Sequence, residues 1–231
     1  MKKNINIIQL KKLNFSSLFI SISLVLFQIN SIYLKSQIKM PFVYSNYWIF
    51  WHLPLFFIGL FFSLRDTLFF LFIYMFIDVS LYSCPKYIIE LTALNYGDNI
   101  TLKVFRLLSL IILGTCIPIL THIFVSVFIN CRKNNYKKIF FCFCLIVFLQ
   151  SISRTFNGYF NYLPYLIENF KESDFISKFI QNSSFNILIC LWGLNLIPIF
   201  ISNFLNFIVF FIIKPRIIKI YELYFPNYSF K

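Results

Sequence analysis

The chain has 231 residues, is 59% hydrophobic with a mean hydropathy of +0.77, and carries 21 Lys and Arg against eight Asp and Glu, for a formal net charge of +13. A soluble domain of this length cannot hide that much apolar surface, and the 13% of charged residues is about half the globular norm. A single membrane domain with no soluble module attached is expected. The bases flank apolar stretches, so topology and anionic lipid headgroups account for them, and nucleic acid is not an expected partner.

Six apolar stretches separated by five polar joints organise the chain: Phe15–Leu34, Tyr47–Leu64, Thr67–Tyr82, Phe105–Ile129, Ile139–Ser153 and Phe185–Ile213. A bilayer core of about 30 Å takes about 20 apolar helical residues. The first, fourth and sixth stretches meet that alone; the others call for tilt or shielding by neighbours. The expected fold is all-α, a polytopic bundle of six transmembrane helices over residues 1–213, followed by a basic, aromatic tail over residues 214–231. With both termini in the cytoplasm, the inner segments hold 13 bases and two acids, net +11, and the outer segments hold eight bases and six acids, net +2. That is the asymmetry the positive-inside rule requires. The 33 Phe, with many Ile, Asn, Lys and Tyr, fit AT-rich codon usage and the cell membrane of a bacterium with such a genome.

Helix one carries Ser17 and Ser21 four residues apart, two small side chains on one face where a neighbouring helix could approach closely. Helices two and three meet at Ser63-Leu-Arg-Asp66 in a tight cytoplasmic hairpin, where Arg65 and Asp66 can satisfy exposed helix-end groups. Pro54 suits a first helical turn. The outer joint from Ser83 to Lys103 offers a turn at Tyr96-Gly-Asp-Asn99 and a short interfacial or re-entrant helix from Pro85 to Leu94, with Glu90 as its acid. Helix four holds Gly114, a kinking Pro118 and His122, which is either a hydrogen-bonded packing residue or a pathway residue. The second long outer joint opens at Arg154, breaks at Asn157-Gly158, and carries Tyr159, Tyr162 and Tyr165 before Asn182 and Asn186 lead into helix six. The six cysteines include no CxxC and read as small apolar fillers.

No catalytic constellation is present: GxSG, HExxH and P-loop motifs are absent, and His52 and His122 have no partner at helical spacing. Neither enzymatic activity nor a metal or cofactor is expected. An ion-coupled carrier acting alone and a non-catalytic assembly protein stay open as alternatives. What stands out is an outer cluster of Glu90, Tyr96, Asp98, Arg154, Asn157, Tyr159, Tyr162, Asn182, Asn186 and Trp192. Aromatics can stack on a flat heterocycle, and Asn, Glu and Arg can read its edge. Residue by residue the set also fits an interfacial aromatic belt with solvated loop charges. Its concentration on one side favours a pocket, with Tyr162 stacking on a ligand ring, Asn182 and Glu90 bonding its edge, and Arg154 either holding an anionic group or pairing with Glu90.

Three segments carry a family resemblance. His-Leu-Pro-Leu-Phe-Phe-Ile-Gly-Leu from His52, running into Arg65, is similar to an xxPLxxxGLRxG hairpin; Arg154-Thr-Phe-Asn-Gly158-Tyr-Phe-Asn-Tyr162 is similar to HxxSG with an aromatic four residues on; Gln181-Asn182-Ser-Ser-Phe185 is similar to YNxSY. With the six-helix topology, they make the chain resemble the substrate-binding (S) component of energy-coupling factor transporters, closest to the thiamine-specific branch, over residues 14–213. The family histidine is Arg154 here, its serine is Asn157, and the second hairpin glycine is missing. An added guanidinium favours a ligand with a carboxylate or phosphate. The resemblance implies capture of a water-soluble vitamin, thiamine or a related compound, docking on a membrane scaffold subunit through Ser17 and Ser21, and release powered by two ATPase subunits.

Overall fold

Along the first helix, Phe15, Ser16, Phe19, Ile20 and Ser23 are buried, while Leu18, Ile22, Val25 and Ile29 are exposed. The buried set repeats at helical spacing and faces the protein, yet the opposite face is equally apolar. A helix apolar on both faces needs a non-aqueous surround. The same division recurs in the third helix, where Phe70, Leu71 and Tyr74 are buried and Phe69, Phe72 and Phe76 exposed.

The computed structural model describes residues 2–30, 49–93, 100–129, 135–170 and 184–225. They form α1 (Lys2–Ile29), a 3-10 turn (Phe50–His52), α2 (Leu53–Phe61), α3 (Leu64–Asp78), α4 (Cys84–Ala93), α5 (Ile100–Ile111), α6 (Ile117–Leu120), α7 (Ile123–Phe128), α8 (Tyr136–Phe170) and α9 (Ser184–Tyr224), with π turns at Val79–Ser83 and Ile112–Cys116. No strand occurs among the described residues. Five helical stretches are long and apolar enough to cross a membrane: Ile7–Ile29, Leu64–Ile89, Ile100–Phe128, Tyr136–Asn161 and Phe185–Tyr224.

The second apolar stretch differs from the others. It forms a short helix, Phe50–Phe61, which at 1.5 Å per residue spans about 18 Å, well short of a bilayer core. Pro54 through Phe61 are all buried, so this helix is a core element walled by other helices.

Several boundaries depart from the expected ones. The π turn Val79–Ser83 joins α3 to α4 without a break, so Pro85 and Glu90 lie on a continuation of the third helix rather than on a separate interfacial one. Asn157-Gly158 is not a break: α8 runs through both to Phe170, and Arg154 sits on a helix, not in a joint. The last helix passes Ile213 and continues through Lys214 to Tyr224. At the α2–α3 hairpin, Ser63 is the cap, since its Oγ accepts the Asp66 N–H at 3.2 Å. Asp66 instead accepts Lys12 Nζ at 2.8 Å.

Two compact units form. One comprises Met1–Tyr74, His122–Ile146 and Ile201–Lys231; the other comprises Met75–Thr121 and Val147–Phe200. The first is built on aromatic packing around α2. Phe61 stacks on Tyr221 at 4.5 Å between ring centroids, and Tyr221 stacks on Phe225 at 4.5 Å. Phe56 meets Phe207 edge-on at 5.0 Å. Such pairs add about 0.5–1.5 kcal/mol each beyond the area they bury. Lys12 on α1 bonds Asp66 of the hairpin, and Lys11 Nζ bonds the carbonyl of Tyr224 at 3.1 Å. Within this unit the start of α1, the hairpin tip and the end of α9 therefore stand together.

Candidate functional site

The second unit is organised by its two π turns. In each, the backbone N–H that follows reaches five residues back: Cys84 to the Val79 carbonyl and Ile117 to the Ile112 carbonyl. A proline comes next in both cases, Pro85 and Pro118. Proline lacks an N–H, and a π turn lets the helix absorb that loss without ending. The shift also releases carbonyls from the α pattern. Leu113 O, which Ile117 N–H would otherwise bond, accepts Ser153 Oγ at 2.6 Å instead. Pro118 O accepts Gln150 Nε2 at 3.1 Å and Thr121 Oγ1 at 2.7 Å, which secures the helix where it turns at residues 121–122. Side chains of α8 thus satisfy the irregular backbone.

The two turns meet through hydroxyls. Thr115 Oγ1 donates to Ser83 Oγ at 3.2 Å, and Ser83 Oγ donates to Asp78 Oδ2 at 2.6 Å. Tyr87 Oη lies 3.0 Å from Thr115 Oγ1. Since Thr115 spends its proton on Ser83, Tyr87 is the donor. The chain therefore runs Tyr87, Thr115, Ser83, Asp78 and ends on the one group that is a pure acceptor when ionised. Asp78 is 5% exposed. Tyr87 also packs with Leu91 and Leu110, so the chain is walled on one side by apolar side chains.

Gly114 opens the way to a second polar group. A Cβ there would stand 2.9 Å from Tyr87 Oη and 3.3 Å from Asn157 Nδ2. Its absence lets both side chains converge on the backbone of the π turn Ile112–Cys116. Asn157 is buried, and Asn161, one turn on, donates Nδ2 to Asn157 Oδ1 at 3.0 Å and to Ser109 Oγ at 2.8 Å. Trp192 Nε1 donates to Ser151 Oγ at 3.0 Å, which ties α9 to α8 in this unit.

Of the expected site residues, Asn157 belongs to this polar core. Arg154 is half-buried on the same helix, within electrostatic reach of Asp78 together with Lys86. Tyr159 is half-buried with its ring edge-on to Phe160 at 5.7 Å, and Asn186 is half-buried on α9. Asn182, Gln181 and the Tyr96-Gly-Asp-Asn99 turn lie outside the described residues, as do the side chains of Glu90 and Tyr162, whose backbones are helical. Ser17 and Ser21 are both exposed on α1, and Ser17 Oγ bonds the Asn14 carbonyl at 2.8 Å.

The histidines, expected to stand apart, are neighbours in the first unit. Their rings lie 5.0 Å apart and perpendicular, and His122, fully buried, is also edge-on to Phe56 at 4.9 Å. They lie 70 residues apart in sequence, beyond the reach of helical spacing. Asp78, Ser83, Tyr87, Ser109, Thr115, Gln150 and Asn161 are the polar residues that sequence reasoning left out of the site. Asp78 carried a signal, being an acid inside an apolar stretch. Among the described residues no cluster of three or more His, Cys, Asp or Glu could hold a metal ion.

No family model, no curated protein and no solved structure matches this chain.

Proposed function

We propose that the chain is a membrane protein of a bacterial cell membrane, with both termini cytoplasmic and the short second helix completing a sixth crossing only under the shelter of its neighbours, and that it captures a water-soluble vitamin for import energised by partner subunits. The observation that carries this reading is the polar core of the second unit: a carboxylate, four hydroxyls and two amides, from buried Asp78, Tyr87, Thr115, Asn157 and Asn161 with half-buried Ser83 and Ser109, held in helices of membrane-spanning length. Polar groups in such helices are costly, and they persist where they line a solute path or recognise a ligand. The resemblance to S components of energy-coupling factor transporters supplies the partners: a membrane scaffold subunit, approached through Ser17 and Ser21, and two ATPase subunits.

Ligand binding is tested by thermal shift of the purified chain against a panel of water-soluble vitamins, thiamine included. A ligand at about 100 times its dissociation constant stabilises by about 2.7 kcal/mol, and a panel with no responder would sink the capture reading. Asp78 favours a second reading, an ion-coupled carrier. That reading requires uptake by this chain alone in proteoliposomes, whereas the first requires partner ATPases.

The topology has its own expected result. In a chain freed of its native thiols, a cysteine at Asn99 reacts with a membrane-impermeant reagent from outside, and one at Asn134 only from inside. The reverse pattern rejects the inside assignment of the +11 segments.

A further inference from the structure

In the second unit the side chains of Asp78, Ser83, Thr115 and Tyr87 form a closed row. Ser83 Oγ is 2.6 Å from Asp78 Oδ2 and 3.2 Å from Thr115 Oγ1, which is 3.0 Å from Tyr87 Oη. Among the described residues none of the four side chains makes any other hydrogen bond. Each of the three hydroxyls has one hydrogen to give and can accept in return. The end of the row therefore sets every direction in it. With Asp78 ionised, Ser83 donates to Asp78, Thr115 to Ser83 and Tyr87 to Thr115. One other arrangement satisfies the same three contacts, with Asp78 protonated on Oδ2 and every bond reversed. A proton placed on Oδ1 instead would have no acceptor among the described residues, on a side chain that is buried. All four residues lie in stretches long and apolar enough to cross a membrane, where an ionisable group set in a hydrogen-bonded row is a mark of a proton relay.

We propose that these four residues form a proton-operated switch, in which one proton taken up by Asp78 reverses the row and turns the Tyr87 hydroxyl hydrogen away from Thr115 and toward Asn157. Tyr87 Oη and Asn157 Nδ2 stand 2.9 Å and 3.3 Å from one point, the place that a Gly114 Cβ would occupy. The inference rests on the reading of the second unit as a solute-capture site and adds its regulation. In the ionised form the Tyr87 hydrogen is committed to Thr115. In the protonated form Tyr87 and Asn157 both offer donors beside Gly114, which suits an acceptor oxygen on the solute. The proton comes from bulk water, and the one bond formed is O–H on Asp78 Oδ2. Each hydroxyl keeps its own hydrogen and rotates it, so the charge of the row rises by one and nothing leaves. The charged and titratable groups that act on Asp78 are Lys86 of α4, Arg154 of α8 and Cys116 of the second π turn. Lys86 Nζ also lies 5.7 Å from the Tyr87 ring centroid.

The test is infrared difference spectroscopy of the full chain, purified in a detergent free of ester groups and titrated with acid. Wild type is expected to show a protonated carboxyl band that Asp78→Asn lacks and a shift of a tyrosine C–O–H band that Tyr87→Phe lacks, with one midpoint for both. Thr115→Val cuts the row and is expected to keep the carboxyl band and lose the tyrosine shift. Ser83→Ala makes the same cut at a half-buried position and carries the test if Thr115→Val does not fold. An Asp78 band with Tyr87 unmoved, a tyrosine shift that survives either cut, or no Asp78 band at any pH at which the chain stays folded overturns the proposal. So does a carboxylate band that moves with sodium at constant pH, which would assign the site to a metal cation. The link to the solute is read as the affinity of a responding vitamin on either side of the Asp78 midpoint. It is expected to change at least about tenfold in wild type and to stay level in Asp78→Asn. Equal affinity on both sides in wild type refutes the link and leaves capture intact. A working switch with no vitamin bound at either pH refutes capture and keeps the switch.

Discussion

Gly59→Leu is expected to prevent the first unit from folding, and Gly59→Ala to lower its stability measurably. A Cβ at Gly59 would stand 2.8 Å from Val125 Cβ and 3.1 Å from the His122 carbonyl oxygen. Neither neighbour is the end of a flexible side chain: one is the root of a branched residue and the other is backbone. Overpacking of this kind costs about 1–3 kcal/mol, and the gain in helix propensity from Gly to Ala returns only about 1 kcal/mol. Leucine adds three further carbons where α2 and α7 already touch. The site has no slack, because Val125 and His122 are both fully buried. Melting temperature in detergent checks the ranking of wild type above Gly59→Ala above Gly59→Leu. Pairing Gly59→Ala with Val125→Gly removes the closest atom and should recover part of the loss, a coupling of about 0.5–3 kcal/mol. Gly59→Leu melting with wild type would show that the two helices do not meet as described.

Thr115→Val is the second large effect expected. The change keeps the shape and deletes a hydroxyl that serves both Tyr87 and Ser83. Leaving a buried donor unsatisfied costs about 1–3 kcal/mol in water-soluble folds, and measured interhelical hydrogen bonds in membranes average about 0.6 kcal/mol. The loss should fall between these, near the upper end, since Tyr87 loses its acceptor and Ser83 a donor at once. Tyr87→Phe removes one end of the same bond and should cost less. The double variant should cost less than the two singles added, because one bond is counted in both. Chemical-denaturant or thermal series on the four proteins read this directly. Strict additivity would mean that Tyr87 and Thr115 do not share that hydrogen bond.

Five of the apolar stretches were legible because length and hydropathy alone decide what can cross a bilayer, and each corresponds to a helix of that length; the second corresponds to the short buried helix Phe50–Phe61. Their ends were not. Gly158 reads as a break since glycine is costly in a helix by about 1 kcal/mol relative to alanine. Here bonds to the neighbouring helix hold the same turns: Ser153 Oγ donates to the Leu113 carbonyl at 2.6 Å and Asn161 Nδ2 donates to Ser109 Oγ at 2.8 Å. Pro85 reads as a helix start because an isolated proline breaks an α pattern. The π turn before it supplies a register in which the missing N–H is tolerated, and π turns have no sequence signature of their own. Within the site, Asn157 was legible as a polar group closing an apolar run. Thr115 and Ser83 were not, because single hydroxyls are common in spans and gain meaning only when two distant turns bring them within 3.2 Å.

The division of the chain has a consequence for biogenesis. Every segment of the second unit, Met75–Thr121 and Val147–Phe200, leaves the ribosome before the first unit's closing segment, Ile201–Lys231. Domains generally assemble as their segments emerge. The polar core around Asp78 has all its members before translation reaches Ile201. The aromatic core around α2 must wait for Phe207, Phe210 and Tyr221. Until then a fully apolar helix too short to cross a bilayer unaided has no α9 wall to rest against. The interval between synthesis of residue 61 and residue 221 is the stretch in which a nascent chain of this kind depends on the insertion machinery to shelter α2. A slow-codon pause placed within that interval should increase degradation of the unfinished chain more than the same pause placed after it.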